Sequence, residues 1–189
     1  MKINNVEVNG IPGAIKASGY PMSIKIDRVL TDKDFDRANR LAGCDAGIGE
    51  DCFLKGVNVQ ADITAPQYWY LQFQRYHFAD IVSSQSKMHR ILKMDIDKQC
   101  SDKVSPIIKK EFKNHIEHYK RDAITFEELI ASCPMGLMLT ARITTNYLQL
   151  KSIYRQRRHH RLEEWQVFCD WIETLPYNKW IVGKSREEN

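Results

Sequence analysis

Between Gly56 and Pro66 the chain reads GVNVQADITAP, where Val57, Val59, Ala61 and Ile63 alternate with Asn58, Gln60, Asp62 and Thr64. A strict period of two over eight residues dictates a strand with one buried face and one wet face. Whatever this chain folds into must therefore contain a sheet with an apolar layer against one side. Pro66 stops the strand and suits the first position of a helix, where its missing N–H costs nothing. The following QYWYLQFQRYHFADIV has aromatic residues on more than one face, which predicts a helix buried between the sheet and another element.

Around this centre the other elements are read from local signals. Ile3, Val6 and Val8 suit a short strand, residues 32–41 a short helix, and the Gly/Asp-rich 42–51 a loop. Ser105-Pro106 predicts a helix through about Lys120, with Ile107, Ile108, Phe112, Ile116 and Tyr119 as its apolar stripe. Thr125-Phe-Glu-Glu128 is a capping box that opens a shorter helix to about Ser132, broken by Cys133-Pro134-Met135-Gly136. From Leu137 the pattern predicts a helix through roughly Arg158. Residues 162–175 predict a last amphipathic helix with Trp165, Phe168, Trp171 and Ile172, ended by Pro176. The tail 184–189, KSREEN, reads as frayed. The expectation is an α+β chain, a central antiparallel or mixed sheet covered by several helices. It forms one domain over 1–189 whose first 50 residues are the least defined.

Composition excludes several classes. No apolar run approaches the ~20 residues that a bilayer span needs. The start, MKINNVEVNG, has no apolar stretch behind its lysine, so no secretory signal is expected. Five cysteines (Cys44, Cys52, Cys100, Cys133 and Cys169) form an odd count without CxxC spacing. That argues against a disulfide framework or zinc site and for a reducing, cytoplasmic setting. Cys52 and Cys133 lack an evident histidine partner and read as buried structural thiols. Adjacent His159 and His160 would point to different sides of a helix, so no metal site is expected there. No Gly-rich phosphate loop, HExxH or GxSxG motif occurs.

Three stretches hold side chains suited to a ligand. Gln72-Phe-Gln-Arg75-Tyr76-His77 and the later Ser83-Ser84-Gln85-Ser86-Lys87-Met88-His89-Arg90 gather amides, hydroxyls and cations after an aromatic helix. Such a set suits phosphate and a planar heterocycle, or else it is a polar turn with solvated basic residues. Arg142, Asn146 and Gln149, at i, i+4 and i+7, would share one helical face, either a nucleotide-binding face or the wet side of a helix. In KSIYRQRRHHR, Lys151, Arg155, Arg157, Arg158 and Arg161 stand without an acid. The net charge of the whole chain is +4, which leaves −1 for the remainder. This cluster is either a solvated face or a clamp on phosphate, a local anion site more than a surface that wraps nucleic acid.

Taken in order, these stretches resemble the flavin-dependent thymidylate synthases, the ThyX-like family that methylates dUMP using FAD. Ala65-Pro66 stands at that family's Ala-Pro and Gln72-Phe73 at its Gln-Trp. Arg75-Tyr76-His77 stands at Arg-His-Arg and, after the spacer, Gln85-Ser86-Lys87 at Ser-x-Arg. Downstream, Thr140-Ala-Arg142-Ile-Thr-Thr-Asn146-Tyr-Leu-Gln-Leu-Lys151 looks like Asn-x-Arg-Ser-x-x-Asn-Phe-Leu-x-Leu-Arg, and Glu164-Trp165-Gln166-Val167 like Gln-Trp-Glu-Ile. The register holds over 53–90 and 137–170. The signature is degenerate: only Arg75 is unchanged, and Lys87 and Lys151 each replace an arginine that contacts nucleotide in the family. An insertion between Leu150 and Trp165 holds the Arg/His cluster, from which Arg155, Arg157 or Arg158 could replace the lost guanidinium.

The resemblance implies a thymidylate-synthase-complementing-protein-like fold. It turns Arg75, Tyr76, His77, Arg142 and Asn146 toward FAD, and Gln72, Gln85, Ser86, Lys87, Lys151 and Arg158 toward dUMP. It implies a homotetramer whose sites combine subunits, with NADPH and methylenetetrahydrofolate as co-substrates and no catalytic side chain required, since the chemistry is the cofactor's. Self-association is also expected from the apolar surface of helices 67–78 and 139–158. Two alternatives stand beside methylation. One is a repurposed homologue that binds nucleotide or flavin without methyl transfer. The other is an RNA- or DNA-binding module using 151–161 with Tyr147, Tyr154 and Trp165 as stacking partners.

Overall fold

The alternating segment is the second strand of an antiparallel four-stranded sheet in a computed structural model that describes residues 1–27, 29–45 and 48–183. The elements are β1 (Lys2–Asn9), α1 (Ile11–Ala17), α2 (Asp32–Ala42), β2 (Asn58–Pro66), α3 (Gln67–Phe73), β3 (Ala79–Ser84) and α4 (Lys87–Arg90). They continue as α5 (Ile96–Gln99), α6 (Pro106–Lys120), α7 (Phe126–Ala131), β4 (Met138–Asn146), α8 (Tyr147–Arg157), α9 (Glu163–Ile172) and α10 (Lys179–Val182). Strand order is β1-β2-β4-β3 with every neighbouring pair antiparallel, so the fold is α+β as expected. The expected frayed tail at 184–189 lies outside the described residues.

Val59, Ala61 and Ile63 of β2 are fully buried, and Ala141 and Ile143 of β4 lie beside them on the same face. Against that face pack Trp69 and Phe73 of α3, Tyr147, Leu150 and Ile153 of α8, and Trp165, Phe168 and Ile172 of α9. The Trp69 ring lies 4.9 Å from both Phe73 and Trp165. Each such side chain contributes about 1.5–3 kcal/mol by leaving water. A second cluster, Ile91, Ile96, Phe112, Ile116, Leu129 and Leu137, gathers α5 to α7 near the start of β4. The other face of the sheet carries Gln60, Asp62, Thr140, Arg142 and Thr144, all half-exposed.

Four expectations need correction. The helix predicted from Leu137 is β4 followed by α8. Thr140, Ile143, Thr144 and Thr145 are β-branched and favour extended backbone, so Arg142 and Asn146 never share a helical face with Gln149. The helix predicted over 67–82 stops at Phe73, and β-branched Ile81 and Val82 belong to β3. Ile107 and Ile108 are exposed in the first turn of α6, whose buried stripe is Phe112 and Ile116. Finally, the apolar side chains of α3 and α8 mostly face inward. Larger exposed apolar groups lie at Met22, Ile24, Val29 and Ile107 instead. The Thr125–Glu128 capping box forms as read, and Pro66 ends β2 as the residue before α3.

Candidate functional site

The turn 74–78, between α3 and β3, places the signature residues at the end of the sheet where β4 passes into α8. Arg75 and His77 are exposed, with no side-chain hydrogen bond or ion pair among the described residues. The His77 ring meets Phe78, whose ring is exposed and borders a hollow of about 320 Å³ with Lys55, Asn146, Leu148, Gln149 and Ser152. Asn146 Oδ1 accepts from Gln149 N at 2.9 Å and so caps α8, while Gln149 Oε1 accepts from Phe78 N. An apolar floor with amides at its rim suits a flat heterocycle.

Beside this hollow, Arg157 joins three elements. Its Nε donates to Tyr76 Oη at 2.6 Å, and its guanidinium lies 4.8 Å from the Trp165 ring and 5.6 Å from the Tyr76 ring. Gln72 Oε1 accepts from Trp165 Nε1 at 2.9 Å and receives a longer contact from Arg157 Nη1 at 3.5 Å. Burial, and then the charges of Arg157 and Arg161, lower the His160 pKa from the ordinary histidine value.

The other predicted cations are committed elsewhere. Lys151, expected at substrate, is 1% exposed and spends its three N–H groups on Ala42 O (2.8 Å), Cys44 O (2.8 Å) and Asp51 Oδ2 (2.7 Å). It lies four residues after Tyr147 on the inward side of α8, and a charge there must be paired. Arg142, expected at the flavin, donates to Glu7, to Asp62 Oδ1 at 3.3 Å, to Gln60 Oε1 and to Asn5 O. Arg158, expected at substrate, turns to Asp170 and Glu173 of the α9 region. Tyr147 and Trp165 are fully buried, and Tyr154 donates to Glu173 Oε1 at 2.6 Å. The stacking platform of a nucleic-acid module is therefore not presented.

Gln85, Ser86 and Lys87 sit at the opposite end of the sheet. Ala79 pairs with Thr145 but Ser84 with Ala141, so β3 carries the chain away from the turn by roughly 20 Å. There Gln85 exchanges two 2.9 Å bonds with the Thr140 backbone, and Ser86 caps α4. Gln85 also lines a cleft of about 540 Å³ with Lys2, Thr64, Lys98, Lys103 and Glu164. Glu164 is nearly buried; Oε1 accepts from Tyr68 Oη at 2.6 Å and Oε2 has no hydrogen-bond partner among the described residues. A single chain thus does not bring the expected nucleotide set together. Of the cysteines, Cys133 is buried as expected, whereas Cys52 is exposed.

No family model and no curated protein matches the sequence. Solved structures do. The flavin-dependent thymidylate synthase ThyX from Helicobacter pylori, complexed with FAD and dUMP, superposes with a TM-score of 0.76 at 12% identity, over 96% of this chain and 97% of that one. A second structure of that enzyme with FAD and dUMP gives 0.76 at 13%. The UMP/dUMP methylase PolB from Streptomyces cacaoi, bound with 5-Br dUMP, gives 0.63 at 13%, over 92% and 89%. The chain has the fold of the flavin-dependent thymidylate synthases. Motif resemblance to the thymidylate synthases was confined to 53–90 and 137–170, the β2–α4 and β4–α9 stretches, but the structural likeness extends over nearly the whole chain. Sequence reasoning missed Lys55, Phe78 and Asp51, none of which lies in a motif. It named Arg157 only as one of three equivalent arginines, since its contact with Trp165 is tertiary.

Proposed function

We propose that the protein is a homo-oligomeric flavoprotein, working in the reducing interior of a cell, that binds a pyrimidine deoxynucleotide and methylates dUMP to dTMP. The single observation that carries this is the near full-length likeness to an enzyme solved with FAD and dUMP, joined by a likeness to a dUMP methylase. FAD fits on the turn side. Phe78 and Leu148 offer an apolar floor, Asn146 and Gln149 offer amides at the rim, and Arg75 and His77, which have no side-chain hydrogen bond or ion pair among the described residues, are cationic or polar groups for its phosphates. Arg142 is not assigned to it, being neutralised by Glu7 and Asp62. When bound, the flavin would relay hydride from NADPH, with methylenetetrahydrofolate giving the carbon. The division of the nucleotide residues between the two ends of β3 supports a site completed by a second copy, as in a tetramer.

A second reading, nucleotide binding without methyl transfer, is favoured by the saturation of Lys151 inside the fold. Purified protein is expected to show a flavin absorption band, to sediment as an oligomer and to form dTMP from dUMP with NADPH and methylenetetrahydrofolate. Flavin and dUMP binding without dTMP would select the second reading. Absence of both ligands from the protein would sink both.

A further inference from the structure

The cations on and around α8 are not equivalent. Lys151 is saturated, Arg158 is held by Asp170 and Glu173, and Arg155 lies 4.0 Å from Asp45. Arg157 is half-buried, yet among the described residues no carboxylate lies within ion-pair distance of it. The α9 carboxylates at its start are engaged by other groups: Glu163 by Lys103, and Glu164 through its Oε1 by Tyr68 and Lys103. Tyr76 fixes Nε and the Trp165 ring supports the guanidinium. Nη1 has only the 3.5 Å contact to Gln72, whose oxygen is already engaged by Trp165, and Nη2 has no partner among the described residues. A guanidinium stacked on a ring and tied at Nε still presents its Nη edge, and that edge matches an oxyanion with paired donors. Arg161 and His159 add to the basic character of this segment.

We propose that Arg157 binds the phosphate of the nucleotide, with Tyr76 and Gln72 as residues that position it. The assignment rests on the nucleotide-binding reading above and adds the residue that seats the anion. Since the guanidinium is anchored through Tyr76, the phosphate site is built from the insertion and the signature turn together.

The test compares dUMP with deoxyuridine, which lacks the phosphate, on the full-length protein and on Arg157→Gln and Arg157→Lys. Loss of a charge-assisted pair of hydrogen bonds should weaken dUMP binding roughly ten- to a hundredfold in Arg157→Gln and less in Arg157→Lys, with deoxyuridine affinity unchanged. Inorganic phosphate should also shift the Arg157 Nε–H resonance, identified by its absence from Arg157→Gln. Equal weakening of dUMP and deoxyuridine would make Arg157 structural, and unchanged dUMP binding would remove it from the site; either overturns the assignment while leaving nucleotide binding in place. A parent that shows the phosphate-induced shift but binds no nucleotide keeps the anion seat and overturns the nucleotide reading. A parent showing neither overturns both.

Discussion

Lys151 and Arg142 are both cations paired with carboxylates, one under the sheet and one upon it, and burial makes them different kinds of interaction. Lys151 and Asp51 are 1% and 2% exposed, and each would stand as an uncompensated charge without the other. Arg142 fans out over Glu7, Asp62, Gln60 and Asn5 on the half-exposed face, where water and salt already screen each contact. Hydrogen bonds from Asn5 and Arg142 outweigh desolvation and lower the Asp62 pKa, a local effect on an open surface. The lesson is that equal charge at two motif positions does not give equal roles. One has become part of the core and the other a clasp between β1, β2 and β4.

The largest expected effect breaks the buried pair. Lys151→Met should lower unfolding free energy by about 3–5 kcal/mol in urea titrations, and adding Asp51→Leu should recover most of it. A loss below about 1 kcal/mol would mean that the pair behaves like a surface one. Glu164 is the intermediate case. Burial pushes its carboxyl up, but the Tyr68 hydroxyl, a backbone bond and the Lys103 charge prevail and hold it below the ordinary 4.5. A value lowered by folding gives stability that is full above pH 4.5 and is lost as pH falls through the folded value. Glu164→Gln should therefore cost about 1.5–3 kcal/mol at neutral pH and flatten the acid limb of the stability curve. An unchanged acid limb would exclude Glu164 as its source. The smallest effect belongs to the open face. Arg142→Gln should cost the least of the three, and the difference from the parent should shrink as salt is raised. A large, salt-independent loss would place Arg142 with Lys151.

Legibility followed the range of the forces involved. β2 was plain because alternation is local, and the Thr125–Glu128 box because capping spans one turn. β4 reads as a helix because Ile143, Tyr147 and Leu150, at i, i+4 and i+7, also satisfy a helical stripe, and only pairing with β2 and β3 decides between the two periods. At the site, motif order pointed to the turn at Arg75–His77 and to the α8 cap at Asn146. It did not foretell that β3 parts Gln85 from Arg75, or that Arg158 rather than Arg157 faces acids, because both depend on partners far away in sequence.

The interior ammonium also bears on how long the fold lasts. Its bonds to Ala42, Cys44 and Asp51 span 109, 107 and 100 residues, enclosing three of the four strands' worth of intervening chain. Such closures are non-local, like the pairing of β2 with β4, and we expect them to form only once that pairing has brought α8 to the sheet. A link made late on the way in must be severed early on the way out, so its strength is felt in the rate of escape more than in the rate of assembly. Lys151→Met is therefore expected to speed unfolding more than it slows refolding, because Lys151 fastens α8 to the end of α2.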